Sequence, residues 1–511
     1  MYLTQMLHRA LQQRPDRPMT ICGDRVHTTT EVVDRVARLA GALRGLGIGE
    51  GDRVGMLSLN SDRYYEFLFA SWWTGAVAHP INTRWSSTEI NYALDDSGTD
   101  VLLVDDTFAS TMAELPGVET VVYCGDGPTP SGMLDYEEMI DTATPVEDLR
   151  HGNDAVAALL YTGGTTGFPK GVMITHRGLS ISAIGTQAVS GNYERGGTTL
   201  VATPMFHVAA LGGCLSQTSI GGTVVLAPRF EAGEILRTIQ RCSVTTTTLP
   251  PTMIQTLCEH PEMVATDTSR VRGIIYGASP ISESTLTGVM RAFPRAGFAQ
   301  GYGMTETAMI SVLSRADHAQ GGPRLRSAGR ATPHAEVRIA DPAGNELPRG
   351  QVGEIVTRGD HIMAGYWNKP ELTAQAIQDG WFRTGDLGSM DEDGYIYLVD
   401  RLKDMIITGG ENVYSTEVEN ALASHPAVEG CAVIGIPDPR WGERVHALIV
   451  LRPGMPATAG EIRSHVKDLI AGYKAPRSVD FLDSLPMTAA GKIDKRRLRE
   501  NARDALTRHG T

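Results

Sequence analysis

Between Gly222 and Gly277 the chain alternates between short β-branched runs and amphipathic helical runs: GTVVLAP, FEAGEILRTIQRC, SVTTTTL, PPTMIQTLCEH and VRGIIYG. Strands laid parallel cannot be joined by tight turns, because each connection must carry the chain back the length of the strand. The helical runs supply that crossover, so the pattern predicts a largely parallel sheet covered by helices on both faces. The first hundred residues repeat the theme. EVVDRVARLAGALRGL has apolar residues at helical spacing, GDRVGMLSL reads as a buried strand, and SDRYYEFLFASWWTG opens a helix on a Ser cap. SSTEINYALDDSG is a further helix, followed by the strand DVLLVDD.

The texture changes twice after that. From about Arg326 short strands and glycine turns take over (VRIADPAGNELPRGQVGEIVTRG), which predicts a small β subdomain. The last hundred residues read as helix (STEVENALASHP), two strands (GCAVIGIPD, RVHALIVLRPG) and helix (TAGEIRSHVKDLI), a separate α+β domain. A chain of 511 residues exceeds one core. The expected fold is therefore α/β: a large N-terminal domain over residues 1–400 and a small C-terminal domain over 401–511. The stretch DRLKDMIITGGENVY marks the boundary.

Bulk properties exclude several classes. A net charge of -13 opposes non-specific binding to a phosphate backbone, so no nucleic-acid partner is expected, and KIDKRRLR reads as a solvated helix face. Six cysteines without a CxxC pair give neither a disulfide framework nor a zinc site. They read as thiols of a reducing cytoplasm. MYLTQMLHRALQQRPDRP lacks the apolar core of a secretory signal. Residues 196–228 hold no Asp, Glu, Lys or Arg, but Pro204, His207 and the glycine pairs at 212–213 and 221–222 break any spanning helix. That segment reads as strand, buried helix, strand, and no membrane span is expected.

The chemistry concentrates in YTGGTTGFPKG, Tyr161 to Gly171, which lies between two apolar runs. A Walker loop places Lys after Gly and a hydroxyl after Lys. Here Pro169 precedes Lys170 and Gly171 follows it, so the Walker pattern fails on both sides. What remains is a loop of backbone N–H groups, Thr hydroxyls and one ammonium, a composition suited to polyphosphate. GLGIGEG follows a helix instead of a strand and has the wrong spacing for a dinucleotide fingerprint; it reads as a helix-ending turn.

YTGGTTGFPKG resembles the phosphate loop of the adenylate-forming superfamily of acyl-CoA synthetases, luciferases and peptide-synthetase adenylation domains. The likeness continues in order through PMFHVAAL (204–211), GYGMTE (301–306), WFRTGDLG (381–388), DRLKDMIITGGENVYSTEVE (400–419) and PMTAAGKIDKRRL (486–498). The resemblance implies ATP, Mg²⁺ and CoA as co-reactants, with AMP transferred to a carboxylate before a thiol displaces it. It assigns nucleotide binding to Thr162, Gly163, Gly164, Thr165, Thr166, Gly167 and Lys170. Gly277, Ala278 and Ser279, then Gly301, Tyr302, Gly303, Met304 and Thr305, complete the adenine and α-phosphate contacts. Asp386 and Arg401 match the ribose-binding pair, and Glu306 matches the magnesium ligand. Lys492 matches the lysine that bridges carboxylate and α-phosphate, making Lys492, Thr305 and Glu306 the implied catalytic set. Lys403 occupies the hinge position, and Gly409 and Gly410 the loop brought to CoA. Homodimers are common among such relatives.

The acyl site implied by the resemblance is lined by His207, Val208, Leu211, Tyr276, Gly277, Ala308 and Met309. Peptide-synthetase domains place an Asp in the segment matching PMFHVAAL to hold a substrate ammonium; none occurs here. A hydrophobic monocarboxylic acid is expected instead: medium-chain fatty, aryl, arylalkanoic or alicyclic. His207 is read as pocket wall, without an acid–base role. Two alternatives to a CoA ligase stay open. One is an enzyme that loads a separate carrier protein. The other is a non-catalytic nucleotide-binding regulator, which the presence of Lys492, Glu306 and Asp386 disfavours.

Overall fold

A computed structural model describes all residues except 116, 163–168, 280, 282, 489–491 and 509–511. The chain divides into two compact units, 1–337 with 357–382, and 338–356 with 383–511.

The first unit holds two large sheets. One has nine strands, and its parallel centre runs Gly297–Met304, Gly273–Gly277, Thr246–Leu249, Thr198–Val201, Thr223–Leu226, Pro18–Cys22. The other has eight strands, with Gly365–Tyr366 at one edge, then Lys170–Thr175 and Val156–Thr162, then parallel strands including Val77–Pro80, Arg53–Leu57 and Val101–Val104. The helical crossovers fall where the sequence pattern requires them. Ser61 caps Asp62–Trp73 by accepting the Tyr64 N–H, and Ser86 with Glu89 forms a capping box on Ser87–Ser97. Residues 196–228 fold as strand Thr198–Val201, helix Val208–Ser219 and strand Thr223–Leu226. No helix among the described residues is long and apolar enough to cross a membrane.

Helix Asp62–Trp73 is buried on every side, so its charged residues must be paired. Asp62 meets Arg25 at 2.8 Å and Glu66 meets Arg35 at 2.7 Å. Around it, Trp72, Tyr65, Phe69, Leu211 and Met205 form part of one continuous apolar core. A second core, containing Leu249, Ile274, Tyr276 and Phe298, lies on the nine-stranded sheet.

Strands Glu336–Ala340, Gly353–Arg358, Ile377–Gln378, Trp381–Met390 and Ile396–Arg401 form a five-stranded sheet, the expected small β subdomain. In the second unit, Val428–Asp438 and Gly442–Leu451 form a long antiparallel pair with Ile406–Thr408 and Ser478–Phe481 on its flanks. Helices Ser415–Ala423 and Ala459–Leu469 cover it, giving this unit its own core around Val418, Leu422, Val433 and Ile462. The architecture is the α/β fold with a small α+β C-terminal part that the alternation of runs predicts.

Candidate active site

The glycine- and threonine-rich stretch joins two antiparallel strands: Val156–Thr162 leads into it and Lys170–Thr175 leads out, with Thr162 opposite Lys170. This is the physical reason the Walker pattern fails. A Walker loop feeds a helix N-terminus, whereas here the next helix begins at His176 after a full strand. Gly163, Gly164, Thr165, Thr166 and Gly167 lie outside the described residues. Gly171 is crowded, since a Cβ there would lie 3.0 Å from the Leu159 side chain and the Tyr161 ring and would have to displace them slightly.

The second element is the pair of strand ends at Gly277 and Gly301, which sit opposite each other in parallel register. Gly277 is forced by backbone approach, since a Cβ there would meet the Gly301 carbonyl oxygen at 2.4 Å, whereas a Cβ on Gly301 would meet only the movable end of Met309, Sδ at 2.7 Å. Ligands of open parallel sheets bind at such carboxyl ends. Beyond Gly277, Ala278 holds a left-handed φ of 67°, leaving it exposed while Ser279 is half-buried. Strand Gly297–Met304 then turns through Thr305 and Glu306 into Ala308–Leu313. Tyr302 is buried, and Met304, Thr305, Glu306, Ala308 and Met309 are half-buried.

Glu306 and Lys170 meet through a residue that no motif in the sequence singles out. The Tyr366 hydroxyl donates to Glu306 Oε1 at 2.9 Å, and Lys170 Nζ lies 4.3 Å from the centre of the same ring. Burial and the neighbouring Glu306 carboxylate push the Tyr366 hydroxyl well above the usual phenol range. A usable signal was the aromatic pair of GYWNKP, where Gly365 at φ 149° admits the chain to an edge against Lys170–Thr175.

Of the expected acyl-site residues, His207 precedes the helix Val208–Ser219 and packs its ring 4.4 Å from Phe206. His207 and Val208 are half-buried. Two others are turned into the interior. Leu211 is 0% exposed in the first core, and Tyr276 is 1% exposed in the second, with its hydroxyl 2.9 Å from His318 Nε2. Met309 is fixed by its main chain: its N–H donates to Ser182 Oγ at 3.3 Å and its carbonyl lies 2.9 Å from His334 Nε2.

In the second unit, Asp386 and Arg401 face each other across the antiparallel strands Trp381–Met390 and Ile396–Arg401, with Arg401 Nε 2.6 Å from Asp386 Oδ1. The Asp386 carboxylate is nearly enclosed and the Arg401 side chain is open, so one partner is fixed while the other reaches solvent. Lys492, next to the Met487–Ile493 bridge, joins them electrostatically. Surrounding chain, and then the charges of Arg401 and Lys403, pull its ammonium below the ordinary lysine value, while Asp386 opposes them. Four residues from three separate motifs thus share one charge cluster. Gly409 and Gly410, at φ 62° and 84°, form the hairpin turn between Ile406–Thr408 and Glu411–Val413. The Gly409 N–H donates to the Trp441 carbonyl at 2.8 Å, and the Arg440 and Arg477 guanidinium groups lie 4.7 and 4.3 Å from the centre of the Trp441 ring.

The chain matches the AMP-binding enzyme family over residues 7–367 and the AMP-binding enzyme C-terminal domain over residues 417–492. It is 42% identical over 475 residues to a feruloyl-CoA synthase of an Amycolatopsis species, covering 92% of this chain and 93% of that protein. It is 36% identical to the fatty acid–[acyl-carrier-protein] ligase ScoC of Streptomyces coeruleorubidus, covering 96% and 94%. The crystal structure of the anthranilate CoA ligase AuaEII in complex with anthranoyl-AMP superposes with a TM-score of 0.90 at 30% identity, covering 99% of this chain and 98% of that one. With both halves matched in sequence and the whole fold matched in structure, this chain belongs to the AMP-binding enzymes of the adenylate-forming superfamily, and is an AMP-forming acid–thiol ligase of the acyl-CoA synthetase type.

Proposed function

We propose that the enzyme activates a hydrophobic monocarboxylic acid to its CoA thioester in two steps, with an aromatic acid of the hydroxycinnamate kind as the first candidate. The observation that carries the reading is the meeting of Lys170 and Glu306 on one phenol ring, which brings a cation and a carboxylate from distant segments to the end of the phosphate-binding hairpin. The aromatic preference rests on the feruloyl-CoA synthase and the anthranilate CoA ligase among its relatives, and on the absence of any Asp from PMFHVAAL. A buried substrate ammonium would have no counter-charge there.

In the first step a carboxylate oxygen attacks the α-phosphorus of ATP and pyrophosphate leaves, giving an acyl-adenylate. Charge builds on the phosphate oxygens, and positioned cations are the main resource for stabilising it. Lys492 is assigned to the carboxylate and α-phosphate, Lys170 and the 162–167 loop to the outer phosphates. Thr305 takes the α-phosphate, Tyr302 stacks on adenine with the 277–279 turn beside it, and Asp386 and Arg401 take the ribose. Mg²⁺ fits Glu306. Among the described residues no three His, Cys, Asp or Glu side chains cluster, and Mg²⁺ is a cation that takes one or two carboxylates and completes its shell with water and substrate phosphate oxygens. When bound it neutralises phosphate charge. In the second step the CoA thiolate attacks the acyl carbon and AMP leaves, with 401–511 turning about Lys403 and the Gly409–Gly410 turn meeting the thiol arm. The site of action is the cytoplasm.

The 36% identity to ScoC supports a second reading, in which the acceptor is a carrier protein. Pyrophosphate release across a panel of acids, each with and without CoA, tests both. Acid-dependent release with a CoA thioester supports the ligase. Acid-dependent release indifferent to CoA, with no thioester formed, moves the acceptor to a carrier.

A further inference from the structure

Three main-chain hydrogen bonds and one strand pairing make the segment 363–367 a strap. The Met363 N–H donates to the Glu306 carbonyl at 2.7 Å and the Ala364 N–H to the Met173 carbonyl at 2.9 Å. Tyr366 pairs with Val172, and the Trp367 N–H donates to the Gly171 carbonyl at 2.8 Å. The strap therefore ties the outgoing strand of the phosphate-binding hairpin to the turn that carries Glu306. Adjacent side chains of an extended segment point to opposite faces. On one face the Trp367 indole N–H donates to the Asp96 carbonyl at 2.8 Å, which locks the strap down. On the other, Tyr366 is left to Lys170 and Glu306.

Tyr366 treats the two groups by different parts of one side chain. Its hydroxyl donates to Glu306 Oε1, fixing the carboxylate plane and directing the other oxygen away from the phenol. Its ring face lies under the Lys170 ammonium, a cation–π contact that holds the long side chain without neutralising it. The ring is 7% exposed and the Tyr366 N–H is held by Thr373 Oγ1 at 2.9 Å, so the phenol is itself fixed.

We propose that Tyr366 is a positioning residue that sets the cation-binding orientation of Glu306 and the phosphate-facing position of Lys170 before nucleotide arrives. The proposal rests on the assignment of Glu306 to Mg²⁺ and of Lys170 to phosphate. A carboxylate that is itself hydrogen-bonded binds a metal better, and loss of such a partner weakens metal affinity about 10- to 100-fold. Y366F keeps the ring under Lys170 and removes only the hydroxyl, whereas Y366L removes both.

The test is calorimetric titration of the full-length protein with ATP, at a series of Mg²⁺ concentrations and in EDTA, with thermal melts as a check of folding. For Y366F the Mg²⁺ concentration that half-maximally tightens ATP binding rises about 10-fold or more, while affinity in EDTA stays within about 2-fold of wild type because the ring contact is kept. Y366L shows the same Mg²⁺ shift and in addition binds ATP about 3-fold or more weakly in EDTA. Glu306→Gln separates the layers. If E306Q shifts the Mg²⁺ midpoint and Y366F does not, the positioning role is overturned while the assignment of Glu306 survives. If E306Q leaves the midpoint unmoved, the assignment falls and takes the proposal with it.

Discussion

The Asp96 carboxylate accepts the Tyr161 hydroxyl at 2.6 Å, tying the helix Ser87–Ser97 to the residue that opens the glycine-rich hairpin. The main-chain carbonyl of the same residue holds Trp367. One helical position thus anchors both the entry of the hairpin and the strap across its exit. Asp96→Ala leaves the Tyr161 hydroxyl, on a ring 8% exposed, without its acceptor. A buried donor deprived of a charged partner costs about 1–3 kcal/mol. Asp96→Asn, which keeps an acceptor oxygen, costs less. Urea unfolding and ATP titration of both variants measure the effect, with the Trp367 link intact in each. Wild-type stability and ATP affinity in D96A would remove the anchor role.

The turn at Glu306 depends on Gly303 for a steric reason. A Cβ there would sit 1.7 Å from the Ala308 carbonyl oxygen, which is backbone and cannot rotate aside. Gly303→Ala therefore has to open the hairpin that carries Thr305 and Glu306. We expect loss of pyrophosphate release by a factor of about 100 or more, on the scale of removing a transition-state donor. Gly212→Ala is the control. Gly212 is interior to the helix Val208–Ser219, with open space where the Cβ would go, so the change is neutral or stabilises by about 0.5–1 kcal/mol. A G303A variant with wild-type pyrophosphate release would show that the turn tolerates reshaping.

The contrast between these positions explains what could be read from the chain. The sheet, its crossovers and the C-terminal unit follow from periodicity and caps, which are local: Ser61, Ser86 and Thr458 each announce a helix within four residues. The glycines at 277, 301 and 303 were legible as motif members, but the backbone approach of Gly277 to Gly301 and of Gly303 to Ala308 is revealed only by the register. Asp96 was not legible at all, and Tyr366 showed only as one half of the aromatic pair in GYWNKP. The partners of each lie far away in sequence, so spacing does not mark its role. Tyr276 shows the opposite limit. A strand side chain beside the site belongs to one face or the other, and the sequence of a strand buried on both faces does not say which.

His361 should make the fold sensitive to mild acid. Its ring is 1% exposed, Nε2 lies 3.1 Å from Thr357 Oγ1, and the His334 ring packs at 5.1 Å. Burial, and then the neighbouring His334, hold its pKa down at about 4. An unfolded histidine titrates near about 6.5. The native state thus keeps the neutral ring while the unfolded chain takes up a proton, so this contribution is complete above pH ~6.5 and is lost as pH falls towards 4. Between pH 7 and 5.5 the linkage amounts to about 1 kcal/mol. Urea midpoints of wild type and His361→Asn across that interval should converge as the pH drops, because the variant lacks this titration. Parallel pH curves would show that His361 keeps an ordinary pKa.

Lys492 tests the division of labour between the two steps. It shares a charge cluster with Asp386, Arg401 and Lys403, and two of those neighbours repel its ammonium. Such a lysine gains from meeting an α-phosphate and a carboxylate, which supply negative charge among its cationic neighbours. Removing one positioned donor to developing charge costs about 10²–10³ in rate. Lys492→Ala is therefore expected to suppress acid-dependent pyrophosphate release by at least that factor. In the second step the thiolate attacks an anhydride already formed and the α-phosphate no longer gains charge from an incoming carboxylate. Synthetic acyl-adenylate supplied with CoA should then yield thioester at close to the wild-type rate. Quenched-flow measurement of the two half-reactions decides it: equal losses in both would make Lys492 a general nucleotide contact, and loss confined to the second would reverse its assignment.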